Sequence, residues 1–115
     1  MIIHEMKLNS LPFEKIKSGE KTIELRLFDE KRQKIKVGDV IRFTNTSSGE
    51  IISAIVIKLH IFESFCELYN TLPLFNCGYT NEDIDTAHYS DMDAYYSPDE
   101  QKKYGVVGIE ICVSK

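Results

Sequence analysis

Gly19-Glu20-Lys21-Thr22-Ile23-Glu24-Leu25-Arg26-Leu27 is the stretch from which the rest of the chain can be read. From Thr22 onward polar and apolar residues alternate strictly, the period-two pattern of a β-strand. Ile23, Leu25 and Leu27 take one face, and Thr22, Glu24 and Arg26 take the other. Lys21 stands at the strand's mouth beside Gly19. Glu24 and Arg26 are separated by about 7 Å along such a strand, so they can pair or grip one ligand together. Arginine offers a planar fork to phosphate or carboxylate, glutamate an acceptor for an amino group, and lysine a point charge for phosphate or an oxyanion. The plainer reading is an exposed charged face with one ion pair worth under about 1 kcal/mol.

Working outward, Ile2 to Leu8 alternates as a short strand with Ile2, Met6 and Leu8 inward. Asn9 or Ser10 caps a short helix with Pro12 near its start, Leu11, Phe13 and Ile16 on its apolar side and Gly19 as its C-cap. After the basic segment Lys31 to Lys36, Gly38-Asp39 turns the chain into a strand from Val40 to Asn45. Ser47-Ser48-Gly49 then makes a hairpin to a long strand from Glu50 to about Phe62, on which Ile51, Ile55, Ile57, Leu59 and Ile61 are expected to share a face.

From Glu63 to Tyr104 the period moves toward 3.6. Phe65, Leu68, Tyr69 and Leu72 mark a helix ending before Pro73, and Asn81 is placed to cap a second helix through the acidic stretch. Ser97-Pro98-Asp99-Glu100 is a capping box with Pro at the first helical position, opening a helix that ends at Gly105. Val106 to Val113 alternates again and closes the chain with a strand. Short strands in one small chain solve their edge problem by curling, with helices plugging the gaps. The expected fold is mixed α+β, mainly β: a small barrel with flanking short helices.

At 115 residues and 13.2 kDa, with 43% hydrophobic and 28% charged residues, the composition is that of one globular domain spanning 1–115. The greasiest stretch, Ile51 to Ile61, is interrupted by Ser53, Lys58 and His60, far short of the roughly 18 apolar residues that span a bilayer. The N-terminus carries no signal-peptide pattern, so no membrane partner and a cytoplasmic location are expected. Cys66, Cys77 and Cys112 are odd in number and lack metal-ligand spacing, which points to reduced thiols and to neither a metal nor a cofactor. The net charge of −4 is uneven. Residues 1–43 hold ten Lys/Arg against seven Asp/Glu, and residues 44–115 hold four against eleven. The acidic half repels nucleic acid, so a site for a polyanion is confined to a patch.

The stretch Pro12 to Leu27, together with Ile35-Lys36-Val37-Gly38-Asp39-Val40-Ile41-Arg42-Phe43 and the closing Tyr96-Ser97-Pro98 through Tyr104-Gly105-Val106-Val107-Gly108-Ile109, resembles an ASCH domain of the PUA-like superfamily. The resemblance covers most of the chain. It implies a PUA-like β-barrel, or pseudobarrel, with a cleft lined by the Gly19-x-Lys21-Thr22-x-Glu24-x-Arg26 strand. It also implies binding of RNA or a nucleotide, in regulation linked to translation. Wider relatives include an amidohydrolase of acetylcytidine, whose pattern reads Lys-Thr-x-Thr, and a ribonuclease. Lys21 matches that lysine and Thr22 the first threonine, but Glu24 stands where the second threonine would act. A hydrolase here would instead use Glu24 as general base toward water and Lys21 to stabilise the oxyanion.

The ligand-binding residues this reading names are Lys17, Lys21, Thr22, Glu24, Arg26, Tyr96 and Tyr104. Tyr95, Tyr96 and Tyr104 suit base stacking or the edge of a small core. His4, His60 and His88 fall on different elements without helical pair spacing. The Lys31 to Lys36 run suits either a backbone contact to RNA or a solvated loop. The expected partner is thus RNA, a nucleotide or a nucleoside, taken by a monomer or weak dimer. The acidic segment as a protein docking surface is a further reading.

Overall fold

A computed structural model describes residues 1–113. Five strands, β1 (Ile3–Leu8), β2 (Ile23–Leu27), β3 (Val40–Asn45), β4 (Ile51–Phe62) and β5 (Val106–Val113), form one sheet in the order β1-β3-β4-β5-β2. β1 runs parallel to β3 and every other pairing is antiparallel. The sheet curls into a half-barrel, the mixed, mainly β architecture expected from the strand pattern and from the PUA-like resemblance. Helices α1 (Ser10–Ser18), α2 (Phe65–Thr71) and α3 (Pro98–Tyr104) flank it.

Each helix boundary has a local cause. Asn9 is the N-cap of α1 and Gly19 its C-cap, with φ +89°, a conformation only glycine adopts cheaply. The Ser64 hydroxyl accepts the Glu67 N–H to start α2. Ser97 and Glu100 form the reciprocal capping box of α3. The β3–β4 hairpin is held by buried Asn45, whose side-chain oxygen accepts from Ser10 Oγ at 3.1 Å and from the Ser47 N–H at 2.9 Å.

The concave core joins Met6, Leu8, Phe13, Ile16, Ile41, Phe43, Ala54, Val56 and Ile109. A second core lies on the other side of the sheet at its β5–β2 end, where Ile23, Leu25, Leu27 and Val106 pack beneath Phe65, Leu68 and Met92. β2 is therefore covered on both faces. Its apolar residues enter the second core, while Glu24, opposite Ile109, and Arg26, opposite Val107, point into the concave side.

Several expectations are corrected. Ile2 and Leu11 are exposed rather than inward. On β4 the expected common face is split: Ile51, Ile55 and Ile57 are exposed on the outer side, whereas Ala54 and Val56 are fully buried. A register irregularity between Val56 and Lys58 changes the facing along the strand and brings Leu59 against the core. The acidic stretch forms no continuous helix and Asn81 caps none. It folds as 3-10 turns Ile84–Thr86 and Tyr89–Ala94, in which Asp83 accepts from the Thr80 N–H and Asp91 from the His88 N–H. No helix among the described residues is long and apolar enough to cross a membrane.

Candidate functional site

The half-barrel has two edge strands, β1 and β2, and it is between them that the molecule opens. Arg26 bridges the gap, its Nη2 donating to the carbonyl of Lys7 on β1 at 3.2 Å. Thus a side chain satisfies backbone that the open seam leaves unpaired. The cleft at this seam has a volume of about 610 Å³. Lys7, Leu8, Lys21, Glu24 and Arg26 line it from the sheet side, and Cys77, Gly78, Tyr79, Asp83, Asp91, Met92, Tyr95 and Tyr96 from the segment between α2 and α3.

Glu24 is only 3% exposed. A lone carboxylate there would cost several kcal/mol, and removal of that cost needs close, well-oriented partners. Glu24 has two: Lys21 Nζ lies 2.7 Å from Oε1 and Arg26 Nε lies 2.8 Å from Oε2. Burial pushes the Glu24 carboxyl up more strongly than any other single influence, but Lys21 and Arg26 together outweigh it and hold the group below its ordinary value. Burial likewise pushes the Arg26 guanidinium down, and Glu24 followed by the Tyr96 hydroxyl more than restores it. The site therefore holds one ionised carboxylate between two fixed cations.

Lys21 is positioned as firmly. Its backbone N–H donates to the Lys15 carbonyl at 3.0 Å, and the next amide, of Thr22, donates to the Asn76 carbonyl at 2.8 Å. Its side-chain stem passes over Gly78, where an added Cβ would stand 3.2 Å from Lys21 Cδ. The Gly78 carbonyl in turn accepts from Lys15 Nζ at 2.7 Å. Buried Cys77 adjoins this pair, and burial pushes its thiol up to about 11, so it is neutral and unreactive at neutral pH.

Farther along the cleft, Tyr69 and Tyr79 share a hydrogen bond of 2.6 Å and the Tyr79 hydroxyl donates to Asp91 Oδ2 at 2.7 Å. Desolvation and these bonds raise the Tyr79 phenol well above its ordinary value, so it stays a donor. Tyr96 is held by a stacked contact with Phe65 at 6.3 Å between centroids, whereas Tyr95 is 71% exposed at the rim.

Of the residues singled out in the sequence, Lys21, Glu24, Arg26 and Tyr96 meet in this cleft. Lys17 does not: it pairs with Glu50 at 2.7 Å on the surface. Tyr104 packs against the second core, with Lys103 over its ring, and lines no part of this cleft. Thr22 acts through its backbone at the start of β2 and is not among the lining residues. The Lys31 to Lys36 run likewise lies elsewhere, with Lys31 donating to the Glu5 carbonyl. Of the acidic candidates Glu82, Asp83 and Asp85, Asp83 lines the cleft; sequence reasoning missed Lys7, Tyr79 and Asp91, which reach it from other elements and carried no spacing signal. Among the described residues no group of three His, Cys, Asp or Glu side chains is placed to hold a metal.

Comparison with known proteins gives a consistent picture. A hypothetical protein, PH0355, known from a crystal structure, shares 34% identity over 98% of this chain and 100% of its own, with a TM-score of 0.81. The protein PF0455 from Pyrococcus furiosus, known from a solution NMR structure, shares 35% identity over 99% of each chain, with a TM-score of 0.71. An ASCH protein from Zymomonas mobilis shares the fold at 15% identity and a TM-score of 0.62, over 96% of this chain and 66% of that one. No curated protein matches significantly in sequence. The ASCH domain family model matches residues 6–113, nearly the whole length, and the chain belongs to the ASCH domain family, with its PUA-like fold.

Proposed function

We propose that this protein is a binding module that takes RNA or a nucleotide in the cleft between β1 and β2. The observation that carries this reading is the meeting of Lys7, Lys21 and Arg26 with an exposed aromatic ring, Tyr95, in one 610 Å³ cleft. Such a site supplies donors to a phosphate and a flat face to a base. Family membership supports it, since ASCH domains are suggested to bind RNA. Glu24 serves here as the fixed counter-charge that holds the two cations apart and aimed.

The hydrolase alternative, with Glu24 as general base and Lys21 as oxyanion stabiliser, fits this geometry less well. Both Glu24 oxygens are committed to cations, and its lowered pKa makes it a weak acceptor of a proton from water. The test is calorimetric titration of nucleotides and short RNAs into the wild type and into Tyr95→Ala and Arg26→Lys. Tyr95→Ala should weaken binding by about 5- to 150-fold, from stacking worth about 1–3 kcal/mol. Arg26→Lys should weaken it as well, because a point charge cannot replace the fork. Unchanged affinity in both variants would remove the cleft from consideration. Product formation on the same panel, lost in Glu24→Gln, would establish the hydrolase instead.

A further inference from the structure

The cleft is polarised. β1 and β2 supply its cations, Lys7, Lys21 and Arg26, while the segment between α2 and α3 supplies two carboxylates, Asp83 and Asp91. With Glu24 counted, three cations face three carboxylates, and the cleft as a whole carries no net charge. Both segment carboxylates have one oxygen tied down: Asp91 Oδ2 accepts from the Tyr79 hydroxyl at 2.7 Å and the His88 N–H at 3.2 Å, and Asp83 Oδ1 accepts from Thr80. Asp91 Oδ1 and Asp83 Oδ2 have no hydrogen-bond partner among the described residues.

A carboxylate repels phosphate and accepts only from neutral or cationic donors, such as sugar hydroxyls or an exocyclic amino group. A strand of RNA threaded through the cleft would lay successive phosphates along both ends and so against Asp83 or Asp91. A ligand with one phosphate and one donor-rich edge meets no such conflict. We infer that the cleft takes a free nucleoside monophosphate: the phosphate sits at Lys7 and Arg26, and the sugar hydroxyls or base amino group face Asp91 and Asp83. The surrounding charge agrees, since no lysine or arginine lies between Lys58 and Lys102, so the acidic segment offers no continuing track for a backbone. This inference rests on the nucleotide-binding reading above and narrows it to a ligand class.

The experiment measures affinity for the four nucleoside 5′-monophosphates and for single-stranded RNA octamers across a salt series. The proteins are the wild type, Asp91→Asn and Asp83→Asn/Asp91→Asn; asparagine keeps an acceptor for the Tyr79, His88 and Thr80 bonds, and thermal melting confirms that each variant is folded. At least one monophosphate should bind with a salt slope of about −1 or shallower, and octamers should bind no tighter. The double variant should then gain about tenfold or more for octamers relative to monophosphates, with a steeper salt slope. An octamer binding the wild type at least tenfold tighter than every monophosphate, with a slope reporting several phosphates, would overturn the inference and leave an RNA-binding module. An unchanged octamer-to-monophosphate ratio in the double variant would overturn the role given to the two aspartates. Binding of neither class would remove the nucleotide-binding reading itself.

Discussion

On β2 the charged side chains Glu24 and Arg26 lie inside the molecule, whereas on β4 the apolar side chains Ile55 and Ile57, at 42% and 46% exposure, lie outside. Both strands belong to the same sheet, and both alternate. The difference is what covers them. The outer side of the sheet at the β2–β5 end is sealed by α2 and the 3-10 turns, so β2 has no solvent face and its charged residues must satisfy one another. The outer side at the β1–β3–β4 end has no such cover, and a row of Ile3, Val40, Ile55 and Cys112 crosses four strands there at the surface. Strand alternation sets which residues share a face; helices laid against the sheet decide which face is wet.

The comparison breaks most sharply at Glu24. Glu24→Ala should cost about 3–5 kcal/mol, because it leaves Lys21 and Arg26 buried without a counter-charge. Urea denaturation monitored by circular dichroism measures it. A cost under about 1 kcal/mol would mean that the pair is solvated after all, like an ordinary surface ion pair.

Next in size is Gly108 on β5, at the covered end. A Cβ there would stand 2.8 Å from Leu72 Cδ1, closer than real contacts allow, and a tight 3.1 Å from Ile23 Cγ2. Gly108→Ala should therefore destabilise by about 1–3 kcal/mol, the usual cost of overpacking. A neutral result in the same denaturation assay would show that α2 can shift away from the sheet and that the cover is loose.

A third test uses acid. Asp39 accepts from His4 Nε2 at 2.9 Å, from the Lys36 N–H at 3.0 Å and from the Ile2 N–H at 3.2 Å, tying the start of β1 to β3. The His4 bond first, then the backbone amides, hold its carboxyl down at about 2, against an ordinary 3.8. Because the folded value is the lower one, the bond's stabilisation is complete above about pH 4 and is lost as pH falls toward 2. Asp39→Asn should flatten the fall of melting temperature in that window, leaving the part contributed by Glu24, whose carboxyl is also held low. An acid limb of wild-type steepness in the variant would place the titration elsewhere.

The sequence made much of this legible. Strand alternation, Gly19, the Ser97 capping box and the Gly38-Asp39 turn predict the elements because each is a local rule obeyed locally. The Lys21, Glu24 and Arg26 cluster was visible for the same reason: a single strand brings it together. What could not be read was burial. Nothing within Thr22 to Leu27 says that both faces will be covered, since the cover comes from residues 65–96. Asp91 and Tyr79 were hidden likewise, because Asp91 reaches the cleft from a 3-10 turn and Tyr79 from irregular chain, neither of which carries a periodicity. On β4 alternation alone places Leu59 with the isoleucines, because the irregularity between Val56 and Lys58 that turns it toward the core leaves no mark in the pattern.

The smallest expected effect lies on that outer face. Ile57 sits at the irregularity between Val56 and Lys58, 46% exposed. Threonine there keeps the β-branched shape that suits a strand while replacing a methyl-bearing arm with a hydroxyl that water can solvate. Ile57→Thr should therefore change stability by no more than about 0.5 kcal/mol, as surface substitutions do. The contrast with Glu24 is then inverted relative to hydrophobicity: deleting a charge costs several-fold more than adding a polar group in place of an isoleucine. If Ile57→Thr instead cost as much as Glu24→Ala, the outer face would be covered in the folded protein, and the distinction between the two ends of the sheet would fall.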